Sequence, residues 1–155
     1  MNNLELSRFW QKVQKTAECW IWSGARDQNG YGMFKHQGRT HRPHRLLWEH
    51  ARGMIPDGMM VDHICHNKAC VNLDHLRIAT RKQNAEHQLQ HSNNSSGYRG
   101  VSWHKTNKKW QARISHHNEL IFCGNFDTPE DAAAAAKAKR NELFTHNNLD
   151  RVVQA

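Results

Sequence analysis

Val61-Asp62-His63-Ile64-Cys65-His66-Asn67-Lys68-Ala69-Cys70-Val71-Asn72-Leu73-Asp74-His75-Leu76 sets two cysteines and three histidines behind a short apolar lead-in. Four residues separate Cys65 from Cys70, and four more separate Cys70 from His75. Thiolate and imidazole groups on a tight loop suit a tetrahedral zinc ion, which needs four donors. Cys19 is the natural fourth, because it is the only other cysteine in the first part of the chain. A zinc ion there would tie the N-terminal strand to this loop and staple a small unit. The plain alternative is that Cys19, Cys65 and Cys70 are small buried hydrophobes. Cys123, alone in the second part, reads as a free thiol.

The same stretch carries a second set of groups. His63 follows the apolar run Met59-Met60-Val61 and an aspartate, and Asn84 lies 21 residues further on. Phosphodiester cleavage needs a base to activate water and a divalent cation to stabilise the charged phosphorus centre and the leaving oxygen. His63 can be the base; Asp62 and Asn84 offer the carboxylate and amide oxygens that hold Mg²⁺ loosely. Each also has a duller reading. An Asp-His pair is commonly surface polar structure, and Asn84 can be a solvated helix residue.

Working outward, Leu4, Phe9, Trp10 and Val13 form a short amphipathic helix, and Cys19-Trp20-Ile21-Trp22 a buried strand. Asn29-Gly30 and Pro56-Asp57-Gly58 are turns, Leu46–Arg52 is a helix closed by Gly53, and Thr80 caps a helix over 81–90. His91–Gly97 holds no large apolar residue and reads as a flexible joint. Beyond it come three strands, at 98–103, 110–115 and 120–126. Thr128-Pro129-Glu130-Asp131 then starts an alanine-rich helix that runs from Ala132 to Phe144. The expected architecture is α+β: residues 1–92 a zinc-stapled ββα-metal unit, 93–97 a linker, and 98–155 a small three-stranded antiparallel sheet packed on one helix.

Composition narrows the partner. In 155 residues there are 22 basic and 14 acidic side chains, giving +8, and the pI is about 9.6. A mean hydropathy of −0.91 and the lack of any 18-residue apolar run argue against a membrane and for a polyanion, nucleic acid before a lipid surface. No apolar stretch follows Met1, so a reducing, cytoplasmic setting is expected, in which cysteines bind metal rather than pair. Nothing in the sequence calls for a homodimer.

The order His63, Cys65, Cys70, His75, Asn84 resembles the HNH and His-Cys-box (ββα-metal) homing endonucleases. Cys19-Trp20-Ile21-Trp22-Ser23-Gly24-Ala25, Gly30-Tyr31-Gly32 and His44-Arg45 extend the likeness to the zinc-containing HNH enzymes of bacteriophages. The resemblance spans roughly residues 8–90. It implies His63 as general base, Asn84 and Asp62 as ligands of catalytic Mg²⁺, and one structural zinc on Cys19, Cys65, Cys70 and His75. Arg26, on the family's hairpin, is a candidate to stabilise the leaving oxygen, with an ordinary surface arginine as the alternative. Arg39, Arg42, His44 and Arg45 are expected to follow the DNA backbone on the hairpin, and His87 to lie near Asn84.

In the second part, Ser96-Gly97-Tyr98-Arg99-Gly100-Val101, Lys109-Trp110-Gln111-Ala112 and Gly124-Asn125-Phe126-Asp127-Thr128-Pro129-Glu130 resemble the APETALA-type, or ethylene-response-factor-like, DNA-binding domain. The likeness covers about 96–140 and implies a sheet that reads the major groove. Arg99, Gly100, Ser102, His104 and Arg113 occupy family contact positions, and Lys105, Lys108 and Lys109 add charge. Ala136, Lys137 and Cys123 depart from the family pattern, so the fold carries over better than the target sequence. The combined expectation is a Mg²⁺-dependent, phage-type homing endonuclease acting on double-stranded DNA in the host cytoplasm. Its rivals are a zinc-containing regulator that binds without cutting and an RNA nuclease.

Overall fold

A reciprocal cap opens the chain: Asn2 Oδ1 accepts from Glu5 N, and Glu5 Oε2 from Asn2 N, each at 2.9 Å. The computed structural model of the protein describes residues 1–88 and 94–151. Its contacts divide the chain into Met1–Arg81 and Lys82–Ala155.

In the first unit, α1 (Asn3–Trp10) is followed by the antiparallel pair β1 (Val13–Lys15) and β2 (Trp20–Trp22). The helix stops at Trp10, and Val13, expected on it, begins β1 instead, facing Trp22 across the pair. A hairpin, β3 (Phe34–His36) and β4 (Arg39–His41), turns through Gln37 and Gly38, both at positive φ. Next come α2 (Pro43–Arg52) and β5 (Met60–His63). A single 3₁₀ turn (Leu73–His75) then leads into β6 (Leu76–Ala79), which pairs antiparallel with β5; α3 (Arg81–Glu86) follows, and all of it but Arg81 belongs to the second unit.

Phe9, Trp22 and Phe34 meet edge to face or tilted at 5.2–5.5 Å and form the aromatic centre of this unit. The chain crosses Trp22 closely. A Cβ at Gly32 would lie 2.7 Å from the Trp22 indole and 2.9 Å from Pro43 Cγ, so only glycine fits there. Trp48, Val61 and Leu76 pack α2 onto the β5–β6 ribbon.

Two expectations need correction here. α2 begins at Pro43 rather than Leu46, because proline at N1 is already shaped for a helix. His44 and Arg45 therefore stand on the helix, not on the hairpin. α3 ends at Glu86; positions 89 and 90 of the expected helix lie outside the described residues.

In the second unit, β7 (Val101–His104), β8 (Lys109–His116) and β9 (Glu119–Phe126) form an antiparallel sheet in that order. A register shift interrupts the β8–β9 pairing at Ala112/Arg113. α4 (Pro129–Leu143) is capped by Thr128, whose Oγ1 accepts from Asp131 N at 3.2 Å. Ala132 and Ala136, both fully buried, let the helix lie close on Val101, Ala112 and Ile114. α5 (Asn148–Arg151) completes the described chain.

Residues 94–97 are held rather than loose. Ser96 Oγ reaches Asn94 Oδ1 at 2.7 Å and Val101 O at 2.8 Å, and Asn94 Nδ2 donates to Tyr98 O at 2.7 Å. The rest of the expected joint, 91–93, lies outside the described residues.

Candidate metal centre and hydrolytic site

The metal cage is assembled by strand pairing. Trp22 N donates to Ala69 O and Val71 N to Trp20 O, both at 2.8 Å, so β2 carries Cys19 to the side of Cys70. Ile64 N donates to His75 O at 2.8 Å and draws Cys65 toward the 3₁₀ turn. Asn72 caps that turn by accepting from Asp74 N at 3.1 Å, which sets His75. The ligand atoms of Cys19, Cys65, Cys70 and His75 all lie within 4.8 Å of one another.

Three thiols and an imidazole at this spacing can hold a tetrahedral metal ion with soft-ligand preference. Their own protonation points the same way. The Cys65 thiol is pushed up by its hydrogen bond to Cys70, Cys70 is pulled down by the same bond, and burial raises Cys19. Crowding thus keeps the three from ionising together unless a cation shares their charge.

His63 ends β5 almost fully buried, and its Nε2 lies 3.1 Å from Cys70 O. That carbonyl sits on the loop that also supplies a cage thiol, so it fixes the ring: Nε2–H donates and Nδ1 is left as the acceptor. Burial lowers the His63 pKa, a shift that the Cys70 carbonyl partly opposes, which favours the neutral imidazole a general base requires.

Two rings missed as contributors to this site surround it. His44 meets His63 edge to face at 4.5 Å, and Tyr31 lies 6.0 Å away. His44 is held near pKa 3, first by burial and then by the charge of His63, Arg45 and Arg42. It is therefore a neutral packing ring, and its 4% exposure corrects the expectation that it follows a DNA backbone. The cations of Arg42 and Lys68 lie over Tyr31 at 5.0 and 5.4 Å. Gly32 was the available signal, since a loop that must cross Trp22 without a side chain delivers Tyr31 here.

The other expected residues are distributed as follows. Asp62, 7% exposed, accepts from Arg77 Nε at 2.9 Å across the ribbon. Asp62 directly precedes His63 at the end of β5. Arg26 turns back, donating from Nε and Nη2 to Trp22 O at 3.2 and 2.7 Å. Arg42 pairs with Asp27 at 2.7 Å, while Arg39 and Arg45 are exposed. Asn84 is half-buried on α3, in the second unit, and His87, 2% exposed, follows that helix.

On the sheet, Arg99 precedes β7 instead of lying in it. Its guanidinium donates to the carbonyls of Ala85 and Glu86, which corrects its expected role in groove reading. Gly100 is a packing position: at φ +79°, a Cβ there would lie 2.5 Å from Arg113 O. Ser102 and Arg113 are exposed, and His104 Nδ1 accepts from Asn107 N at 3.2 Å. Lys105 and Lys108 lie in the β7–β8 turn, and Lys109 pairs with Asp127. Trp103, 47% exposed, packs edge to face on Trp110 at 5.1 Å on the side of the sheet that carries Val101.

A family model described as HNH endonuclease matches residues 41–86. Protein 7.7 of Escherichia phage T7 is 35% identical over 80 residues, 52% of this chain and 62% of its own length. Protein 3.8 of the same phage is 35% identical over 82 residues, 53% of this chain and 68% of its own length. An uncharacterized HNH endonuclease of Acanthamoeba polyphaga mimivirus is 33% identical over 118 residues, 76% of this chain and 60% of its own length. The matches thus span 60–68% of the length of these relatives. No solved structure matches the chain. No helix among the described residues is long and apolar enough to cross a membrane.

Proposed function

We propose, from the match of residues 41–86 to the HNH endonuclease family model, that the chain hydrolyses the phosphodiester bonds of duplex DNA as a phage-type homing endonuclease working in the host cytoplasm. The observation that carries this reading is His63: a buried imidazole, aimed by the Cys70 carbonyl at 3.1 Å, on the loop that supplies three of the four groups of a metal cage.

In the step we propose, His63 Nδ1 accepts a proton from a water molecule as that water attacks phosphorus, the bond to the 3′-oxygen breaks, and the departing oxygen takes a proton from solvent to become the 3′-hydroxyl. His44 and Tyr31 pack around the ring at 4.5 and 6.0 Å. Asn84 and Asp62 are the oxygen donors we assign to a catalytic Mg²⁺. Their chemistry suits a hard cation, although Arg77 already balances the Asp62 charge. When bound, such an ion supplies charge stabilisation for the crowded phosphorus centre and the leaving oxygen. The cage we assign to one structural zinc.

Arg39 and Arg45, both exposed, are proposed backbone contacts; Arg42, tied to Asp27, is a weaker one. We further propose that the second unit is an APETALA-like module presenting Ser102, His104, Lys105, Lys109 and Arg113 to the duplex. Arg26 keeps its proposed place near the leaving oxygen only if it releases the Trp22 carbonyl.

The test is incubation of purified protein with supercoiled plasmid and Mg²⁺. Nicked or linear product that disappears with EDTA is expected. Tight duplex binding with an intact plasmid across divalent cations would instead identify a non-cutting binder.

A further inference from the structure

Glu86 closes α3 with 3% of its surface exposed. Lys82, one turn earlier, reaches its Oε1 at 2.7 Å. Its Oε2 accepts from Thr145 N at 2.9 Å, Thr145 Oγ1 at 3.2 Å and His146 N at 3.3 Å, all from the segment after α4. His116 Nδ1 stands 3.8 Å from Oε1. Arg99 secures the backbone of the same turn: Nη1 and Nη2 donate to Glu86 O at 3.1 Å, and Nη2 to Ala85 O at 3.3 Å. Its guanidinium lies 5.7 Å from the Phe144 ring.

A helix of six residues does not hold itself in water. This one is fastened at its C-terminal end by a buried carboxylate and by an arginine on its last carbonyls. Asn84 lies two residues before Glu86, about 200° around the helix. The fastened side and the side bearing Asn84 are therefore opposite.

We propose that Glu86 and Arg99 are positioning residues: they clamp the end of α3 to the segment after α4 and to the turn before β7, and thereby fix the backbone from which Asn84 offers its amide oxygen. This rests on the assignment of Asn84 as a metal ligand. In this account Glu86 and Arg99 preorganise a ligand of the catalytic cation, much as outer partners orient metal ligands elsewhere.

The experiment measures plasmid cleavage by the full chain against Mg²⁺ concentration. Duplex affinity without Mg²⁺ and near-ultraviolet circular dichroism are followed in parallel. Glu86→Gln and Arg99→Ala are expected to raise the half-activating Mg²⁺ concentration by about tenfold or more, with affinity and dichroism unchanged. Arg99→Lys, which keeps a donor, should recover part of the shift. Thr145→Val removes one donor to Glu86, keeps the backbone bond, and should give a smaller shift in the same direction; it carries the test if a stronger variant fails to fold. An unchanged Mg²⁺ requirement in these variants, while Asn84→Ala loses cleavage, would overturn the clamp. So would a fall in duplex affinity with an unchanged Mg²⁺ requirement. Asn84→Ala cleaving like the parent would sink the ligand assignment beneath it instead.

Discussion

His63→Ala will lower the rate of plasmid cleavage by roughly 10²–10⁴, the span contributed by a well-placed general base. The size of the effect follows from the surroundings of the ring. His63 is buried, its Nε2 is committed to the Cys70 carbonyl, and among the described residues no imidazole beside it is equipped to replace it. His44, at 4.5 Å, is held near pKa 3 and is too weak a base to take over. Duplex affinity should stay near that of the parent, because the lost group accepts a proton and does not pair with a phosphate. His44→Phe, which keeps a ring against His63, should retain most of the activity, whereas His44→Ala should lose more by loosening the base. Equal rates for His63→Ala and the parent would remove His63 from the chemistry.

Cys70→Ser, or a strong zinc chelator, will unfold the first unit. A structural zinc contributes an apparent ~10–16 kcal/mol, which matches or exceeds the ~5–15 kcal/mol by which an ordinary domain is stable. The unit has little else to replace it. Its strands are three or four residues long, and the cage joins β2 to the segment between β5 and β6. Elemental analysis should find about one zinc per parent chain and almost none in Cys70→Ser, with loss of the ordered aromatic signal around Trp22. Cys123→Ser, on β9 and away from the cage residues in sequence, should alter neither. A zinc-free parent that is fully folded would contradict the staple.

Much of the cage is legible in the sequence, because cysteine arithmetic is a local matter: Cys65, Cys70 and His75 share one short loop, and Cys19 is the only other thiol in the first part of the chain. The apolar lead-in to His63 likewise marks β5. Asp62 shows where that reasoning stops short. Its partner Arg77 is recognisable only once the ribbon is paired. Pro43 was a readable start signal for α2; placing the start at Leu46 left His44 on the wrong element. Tyr31 joins His63 through a loop crossing that depends on packing against Trp22, which no periodicity reveals. Arg99 resembled a groove-reading residue because its neighbours do, yet its guanidinium serves carbonyls 13 and 14 residues earlier in the chain. Local signals identify chemical groups; which partner each group meets is settled by tertiary contact.

The most direct test is the fate of the attacking oxygen. Single-turnover cleavage of duplex DNA in H₂¹⁸O should leave one heavy oxygen on each new 5′-phosphate and an unlabelled 3′-hydroxyl, and EDTA should suppress both. Unlabelled 5′ ends, or the phosphate left on the 3′ side, would contradict hydrolysis by water activated at His63.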